Sequence, residues 1–344
     1  MLSKPVSTRL LAAALPAALL TFAVLPALTQ APYTVQDKWT IGGEGGWDYL
    51  LADSGAHRLY ITHGTRVEVV DTTTGKAVGA ITGLKGTHGV ALDEEGKFGY
   101  ISDGGANAVV VFDRTSLATV ASIPAGTNPD GIVYEPVTKT VWAFNGRSKD
   151  VTVISTSDRK VVATIALPGK PEFPQADGTG QVFDNIEDKN EIVRLDAHTL
   201  KLTATWPLEG LESPSGMAID RSAKHLFAVC DGKKMAVVDY TTGKVIAKPD
   251  IGDGPDAAGF DPKTKLAFSS NGDGTLSVVD GTTFKTVQTL KTEPRARTMA
   301  LDQATGKVYL VTAKFGPAPA ATTEKPRPRP TVLPNSFTVV VAGR

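Results

Sequence analysis

Short apolar runs alternate with polar residues at period two along most of the chain, and turn-forming residues interrupt them every few positions. One such run, rich in β-branched residues and mostly ending in an acid, recurs as Val69-Val70-Asp71, Val111-Phe112-Asp113, Val153-Ile154-Ser155, Arg194-Leu195-Asp196, Val237-Val238-Asp239 and Val278-Val279-Asp280. Successive copies lie 42, 42, 41, 43 and 41 residues apart, and a seventh spans Phe337 to Val341. Each unit also contains an earlier apolar strand that ends in Asp53, Asp93, Glu135, Asp177, Asp220, Asp261 or Asp302. A polar turn, a second strand, the recurring third strand and a Thr-Gly-Lys-like turn into a fourth strand follow. Four strands in a unit of about forty residues predict one propeller blade, so the pattern predicts an all-β, seven-bladed propeller.

The last unit supplies only three strands before Arg344. The segment Tyr33–Gly42 has the alternation of a fourth strand, like that starting at Lys160-Val161-Val162. It is therefore expected to complete blade seven and hide the open edges.

Val308-Tyr309-Leu310-Val311-Thr312, the Val-Val-Asp endings and the Thr-Gly-Lys turns resemble the YVTN family of β-propeller repeat proteins. The likeness runs over nearly the whole chain after the N-terminal segment. It implies the propeller fold but little chemistry, because such propellers serve unrelated functions.

Composition narrows the classes further. Thirty-six basic and 36 acidic residues balance, so no extended nucleic-acid surface is expected. Lys4 and Arg9 precede an apolar run from Leu10 to Leu28, and Thr29-Gln30-Ala31 offers small residues at the cleavage positions. Residues 1–31 read as a cleaved signal peptide, leaving 32–344 as a periplasmic or secreted propeller that does not span a membrane and is expected to be a monomer. A lone cysteine, Cys230, permits no internal disulfide.

Aligning the units on the acid that ends the first strand gives one residue per blade, five positions earlier, at the entry to the innermost strand. These are Asp48, His88, Asp130, Glu172, Ser215, Asp256 and Arg297, expected to converge on the central channel. Four carboxylates so close repel one another, which raises their pKa values or calls for a counter-ion. Carboxylate oxygens favour Ca²⁺ or Mg²⁺, and a histidine extends the choice to Zn²⁺ or Mn²⁺. A second ring, His63, Asp103, Asn145, Asn185, Cys230, Asn271 and Thr312, marks the end of the second strand; its polar members read either as channel groups or as turn caps. Asp48, His63, His88, Asp103, Asp130 and Glu172 are the candidate metal ligands.

Between Thr312 and Ser336 a Pro-rich insertion (314–335) replaces a short loop of blade seven on the face of these rings and carries Arg327 and Arg329. Nucleophile-elbow, P-loop, Cys-x-x-Cys and His-Glu-x-x-His motifs are absent. The expectation is therefore an exported binding protein with a ligand or cation site at the acidic channel mouth, meeting a small molecule or protein partner on that face. A lactonase-like, metal-dependent hydrolase or lyase using the same residues is the alternative; nucleic-acid binding ranks below both.

Overall fold

The computed structural model describes residues 1–5, 31–320, 322 and 330–344. Most of the expected signal peptide, and Arg327 and Arg329 of the insertion, lie outside the described residues. No helix among the described residues is long and apolar enough to cross a membrane.

Pro32–Arg344 forms one compact unit of seven four-stranded antiparallel sheets. The innermost strands are Trp47–Asp53, Thr87–Leu92, Pro129–Glu135, Gln175–Ala176, Met217–Asp220, Pro255–Asp261 and Met299–Asp302. Each touches its counterparts in both neighbouring blades, and blade seven returns to blade one, so the ring is closed. The N-terminal strand Thr34–Thr40 pairs antiparallel with Thr338–Gly343 and is the outermost strand of blade seven.

Seven apolar clusters fill the seven gaps between blades. The gap between blades seven and one, for example, holds Leu59, Ile61, Tyr309, Phe337 and Val339. A periodic feature explains why the blades stack alike: the second strand of every blade buries one large aromatic against the next blade. These are Tyr60, Tyr100, Trp142, Phe183, Phe227, Phe268 and Tyr309, each at most 1% exposed. Alternation along a strand sends its neighbours back toward the preceding blade.

The recurring acids are turn devices. Asp71 accepts the backbone N–H groups of Thr73 and Thr74, and Asp113, Asp196 and Asp280 do the same two and three residues on. Hydrogen bonds from Thr73 and Thr74 hold the Asp71 carboxyl down at about 2. The acids that end the first strands are more buried and act likewise. Glu135, fully buried, accepts the N–H groups of Val137 (3.1 Å) and Thr138 (2.7 Å) and the Thr138 hydroxyl (2.6 Å). Glu135→Ala strands these donors and is expected to cost about 2–3 kcal/mol, read as a lowered denaturant midpoint at unchanged m-value.

Blade four departs from the register expected of it. Its first turn, Asp177–Gln181, is short, and its second strand ends at Ile186 opposite Glu191. His63, Asp103, Asn145, Cys230 and Asn271 occupy that strand-end place in their own blades. Asn185 therefore stands one residue earlier, in line with Thr62, Ser102 and Ser270. The shared register has a shared purpose. Thr62, Ser102 and Ser270 donate to the carbonyls of His88, Asp130 and Arg297 in the next blade, and Asn185 Nδ2 donates to that of Ser215 at 2.7 Å.

Candidate functional site

The innermost strands of blades one, two, three and six open with a bulge at the channel mouth. The pairing skips from Trp47↔His63 to Leu50↔Ile61, from Thr87↔Asp103 to Val90↔Ile101 and from Pro129↔Asn145 to Ile132↔Ala143. Asp48, His88 and Asp130 sit in these bulges, freed from the ladder and turned together. His88 Nδ1 lies 2.6 Å from Asp48 Oδ2 and 3.6 Å from Asp130 Oδ1, and one donor atom from each residue falls within 4.8 Å of the others. All three side chains are largely buried yet keep some exposure.

Glu172, Asp256 and Arg297 continue the ring. Arg297 Nε meets Asp256 Oδ2 at 3.3 Å. Ser215 donates to the Pro255 carbonyl at 3.2 Å and adds no charge. Lys170, which alignment at a single position overlooked, pairs with Glu172 and lies 2.5 Å from Glu187.

The electrostatics follow from this crowding. Burial and the neighbouring Asp48 charge push the Asp130 carboxyl up to about 7 against the pull of His88 and Lys170. Burial and the Asp130 charge lift Glu172 to about 8 despite its bond to Lys170. Asp256 rises to about 7 through burial and the charges of Asp48 and Asp130, with Arg297 opposing. Burial works against a charged His88, but the hydrogen bond to Asp48 and the charges of Asp130, Asp48 and Glu172 outweigh it, placing the imidazole at about 9. The mouth thus holds more negative charge than it neutralises, and protons fill the deficit.

The cup has a floor. Tyr49 and Phe173 come from blades one and four, which are not neighbours, so their edge-to-face contact (centroids 4.9 Å apart, 84°) spans the channel. The Tyr49 hydroxyl reaches toward Glu172 Oε2 at 3.4 Å. Below them lies a cavity of about 580 Å³ with walls including Leu50, Val90, Ile132 and Pro174, edged by Asp53, Asp93 and Arg114. The residues following those of the mouth, Tyr49, Gly89, Gly131, Phe173, Gly216, Ala257 and Thr298, were the sequence signal for this plug: two aromatics among small residues.

The second ring does not join the first. His63 is buried, stacked on Phe337 at 4.2 Å, with Nδ1 facing Arg66 and Glu68. Asp103 accepts the backbone N–H groups of Lys85 and Gly86 at 3.0 and 2.8 Å. Asn145 bonds Asp150 and Thr152, Asn271 bonds Thr275 and Ser277, and Thr312 bonds the Pro294 carbonyl. Cys230 is buried in an apolar cluster, its thiol pushed up to about 12 by burial. Of the six candidate ligands, His63 and Asp103 are therefore corrected, being committed to loop packing, and Asp48, His88 and Asp130 are brought together. Glu172 belongs to the ring but not to that close trio.

Asp184 was not foreseen. It is fully buried on the second strand of blade four, and among the described residues neither oxygen has a well-formed hydrogen bond. Its counterparts facing the preceding blade are Ile61, Ile101, Ala143, Ala228, Ser269 and Leu310. Burial, then the charges of Glu172 and Asp130, hold its pKa well above the carboxylate range. Because the folded pKa lies above the unfolded one, ionisation favours the unfolded chain, and this penalty grows as pH rises past about 4. Asp184→Ala is expected to stabilise the fold at pH 7 by about 1–3 kcal/mol and by much less at pH 4, a difference that thermal melts at the two pH values measure.

No family model matches the chain, and no curated protein does. Among solved structures, hydrazine synthase of Kuenenia stuttgartiensis is similar in fold, with a TM-score of 0.70 and 15% identity over 78% of this chain and 93% of that one. At that identity the likeness establishes the propeller architecture and nothing about chemistry.

Proposed function

We propose that the chain is an exported, YVTN-type propeller that acts as a binding scaffold and takes one divalent cation at the acidic mouth through Asp48, His88 and Asp130. The observation that carries this reading is the position of His88 Nδ1 between two carboxylates, with all three donors within 4.8 Å in a partly open cup. An imidazole with two carboxylates suits Zn²⁺ or Mn²⁺, with water or ligand completing the shell. The ion would take the place of the hydrogen bond between His88 Nδ1 and Asp48 Oδ2. Raised pKa values at Asp130, Glu172 and Asp256 support it, since burial and mutual repulsion there outweigh the pull of His88, Lys170 and Arg297.

Export is supported by Lys4 and Arg9 ahead of the apolar run from Leu10 to Leu28. The family assignment is supported by the repeat motifs alone. A small molecule or protein partner would meet the same face, where the stem of the blade-seven insertion stands beside Trp47.

Equilibrium dialysis against Zn²⁺ and Mn²⁺ at pH 8 tests the cation site. The wild type should take up one ion per chain, and Asp48→Asn/Asp130→Asn should bind at least about 100-fold more weakly, because only one strong ligand remains. No uptake by the wild type, or equal uptake by the variant, defeats the proposal.

A further inference from the structure

Beside the acidic mouth lies a cavity of opposite character. It has a volume of about 460 Å³ and is lined by Trp47, Arg295, Arg297, Phe315, Pro330 and Val332, together with three glycines. The insertion stem builds its far wall. Phe315 pairs with Val332 in a β-bridge, Gly316 N–H donates to the Thr331 carbonyl at 2.9 Å, and Leu333 N–H donates to the Lys314 carbonyl at 2.8 Å. Phe315 is thereby set 6.1 Å from Trp47, giving two tilted aromatic faces.

Two guanidinium groups share this space. Arg297 is half exposed and, among the described residues, its ion pair is made through Nε with Asp256, so its Nη donors are available to another acceptor. Arg295 lies over the Phe315 ring, 4.7 Å from its centroid, and makes no ion pair among the described residues.

Arg295 also stands where the backbone does not favour it. Its φ is +63°, in the left-handed region. Of the residues two before the mouth position in the other blades, Asn128, Ser213 and Gly254 share this left-handed region. Glycine or asparagine is the unstrained choice at such a φ. Other long basic residues, such as Lys139 and Arg159, also take a positive φ, so what points to an anionic ligand is the place of Arg295 in the cavity wall beside Arg297, with no ion pair among the described residues.

We infer that this cavity binds a small organic anion with a flat apolar body, an aromatic carboxylate in chemical class. The carboxylate sits between Arg295 and Arg297, which offer forked donors matched to its two oxygens. The ring rests against Trp47, Phe315 and Val332. Cations are repelled by the two guanidiniums, and a neutral ring leaves their charge unmatched. The volume lies within the range of small-molecule sites. None of the cation-site residues lines this cavity, so the two sites stand or fall separately.

The test is calorimetric titration of benzoate, phenylacetate and indole-3-acetate, each beside its uncharged amide, with EDTA present throughout. At least one acid should bind, and bind about tenfold or more tightly than its amide. Arg295→Gly suits the left-handed backbone, so it should melt at the wild-type temperature or above and weaken acid binding about tenfold or more. Arg297→Gln should weaken it similarly with Arg295 intact. The inference is overturned if no acid binds better than its amide, or if both variants bind the acid as the wild type does. Because EDTA removes divalent ions, failure of the cation site leaves these results unchanged.

Discussion

A chain lacking residues 32–41 is expected to lose its cooperative unfolding transition and to elute as aggregate on gel filtration. The deleted segment is the outer strand of blade seven, paired from Thr34↔Gly343 to Thr40↔Thr338. Without it the edge of Thr338–Gly343 is unpaired and β-branched, a template for intermolecular pairing. The segment also ties blade seven to blade six. Tyr33 is 2% exposed, packs edge-on against Phe268 at 5.1 Å, and donates its hydroxyl to the Gly306 carbonyl at 3.0 Å. Gln288 brackets the Tyr33 backbone, accepting its N–H at 2.9 Å and donating to its carbonyl at 2.7 Å. Truncating one such aromatic costs about 3–5 kcal/mol, and whole-domain stability is only about 5–15 kcal/mol. The milder Tyr33→Ala is therefore expected to leave a folded protein about 3–5 kcal/mol less stable, and the deletion to leave none; melting curves and elution volumes distinguish the two.

Cation affinity at the channel mouth is expected to rise steeply with pH, by at least about tenfold between pH 6 and pH 8. At pH 6 the His88 imidazole, placed at about 9, carries a proton, and Asp130, placed at about 7, carries one for most of the time. A metal must displace both. Raising the pH through 7 frees Asp130, and approaching 9 frees His88, so each step removes competition. Without the ion, the sign for stability reverses at His88. Its folded pKa lies above the unfolded value near 6.5, so its stabilising contribution is full at low pH and lost as pH rises through about 9. Affinity measured by competition with a chelating dye from pH 6 to 9 checks the first statement. An affinity independent of pH means the ion sits elsewhere.

The architecture was legible because it is repeated. Seven copies of one strand pattern expose the blade, and the gap left in the last copy points to Tyr33–Gly42. Register failed only in blade four, where the short turn at Asp177–Gln181 displaces Asn185 by one residue. The channel ring was legible for the same reason, since Asp48, His88 and Asp130 occupy one bulge position. The second ring misled because strand-end polar groups look alike whether they face a ligand or cap a loop. In the fold, the Asp103 carboxylate is spent on Lys85 and Gly86 amides, and His63 is pressed onto Phe337. Other features needed positions that a single alignment column does not compare. Lys170 and Arg295 come two residues before the ring, Tyr49 and Phe173 one after it. Asp184 interrupts a column of otherwise apolar or small residues, and only burial reveals its cost.

The central claim, a cation held by Asp48, His88 and Asp130, is tested most directly by anomalous diffraction at the zinc edge from crystals equilibrated with Zn²⁺ at pH 8. The account predicts one strong peak in the channel mouth, about 2.0–2.2 Å from a nitrogen of His88 and from an oxygen each of Asp48 and Asp130. No peak there, with His88 Nδ1 still resting on Asp48 Oδ2, would contradict it.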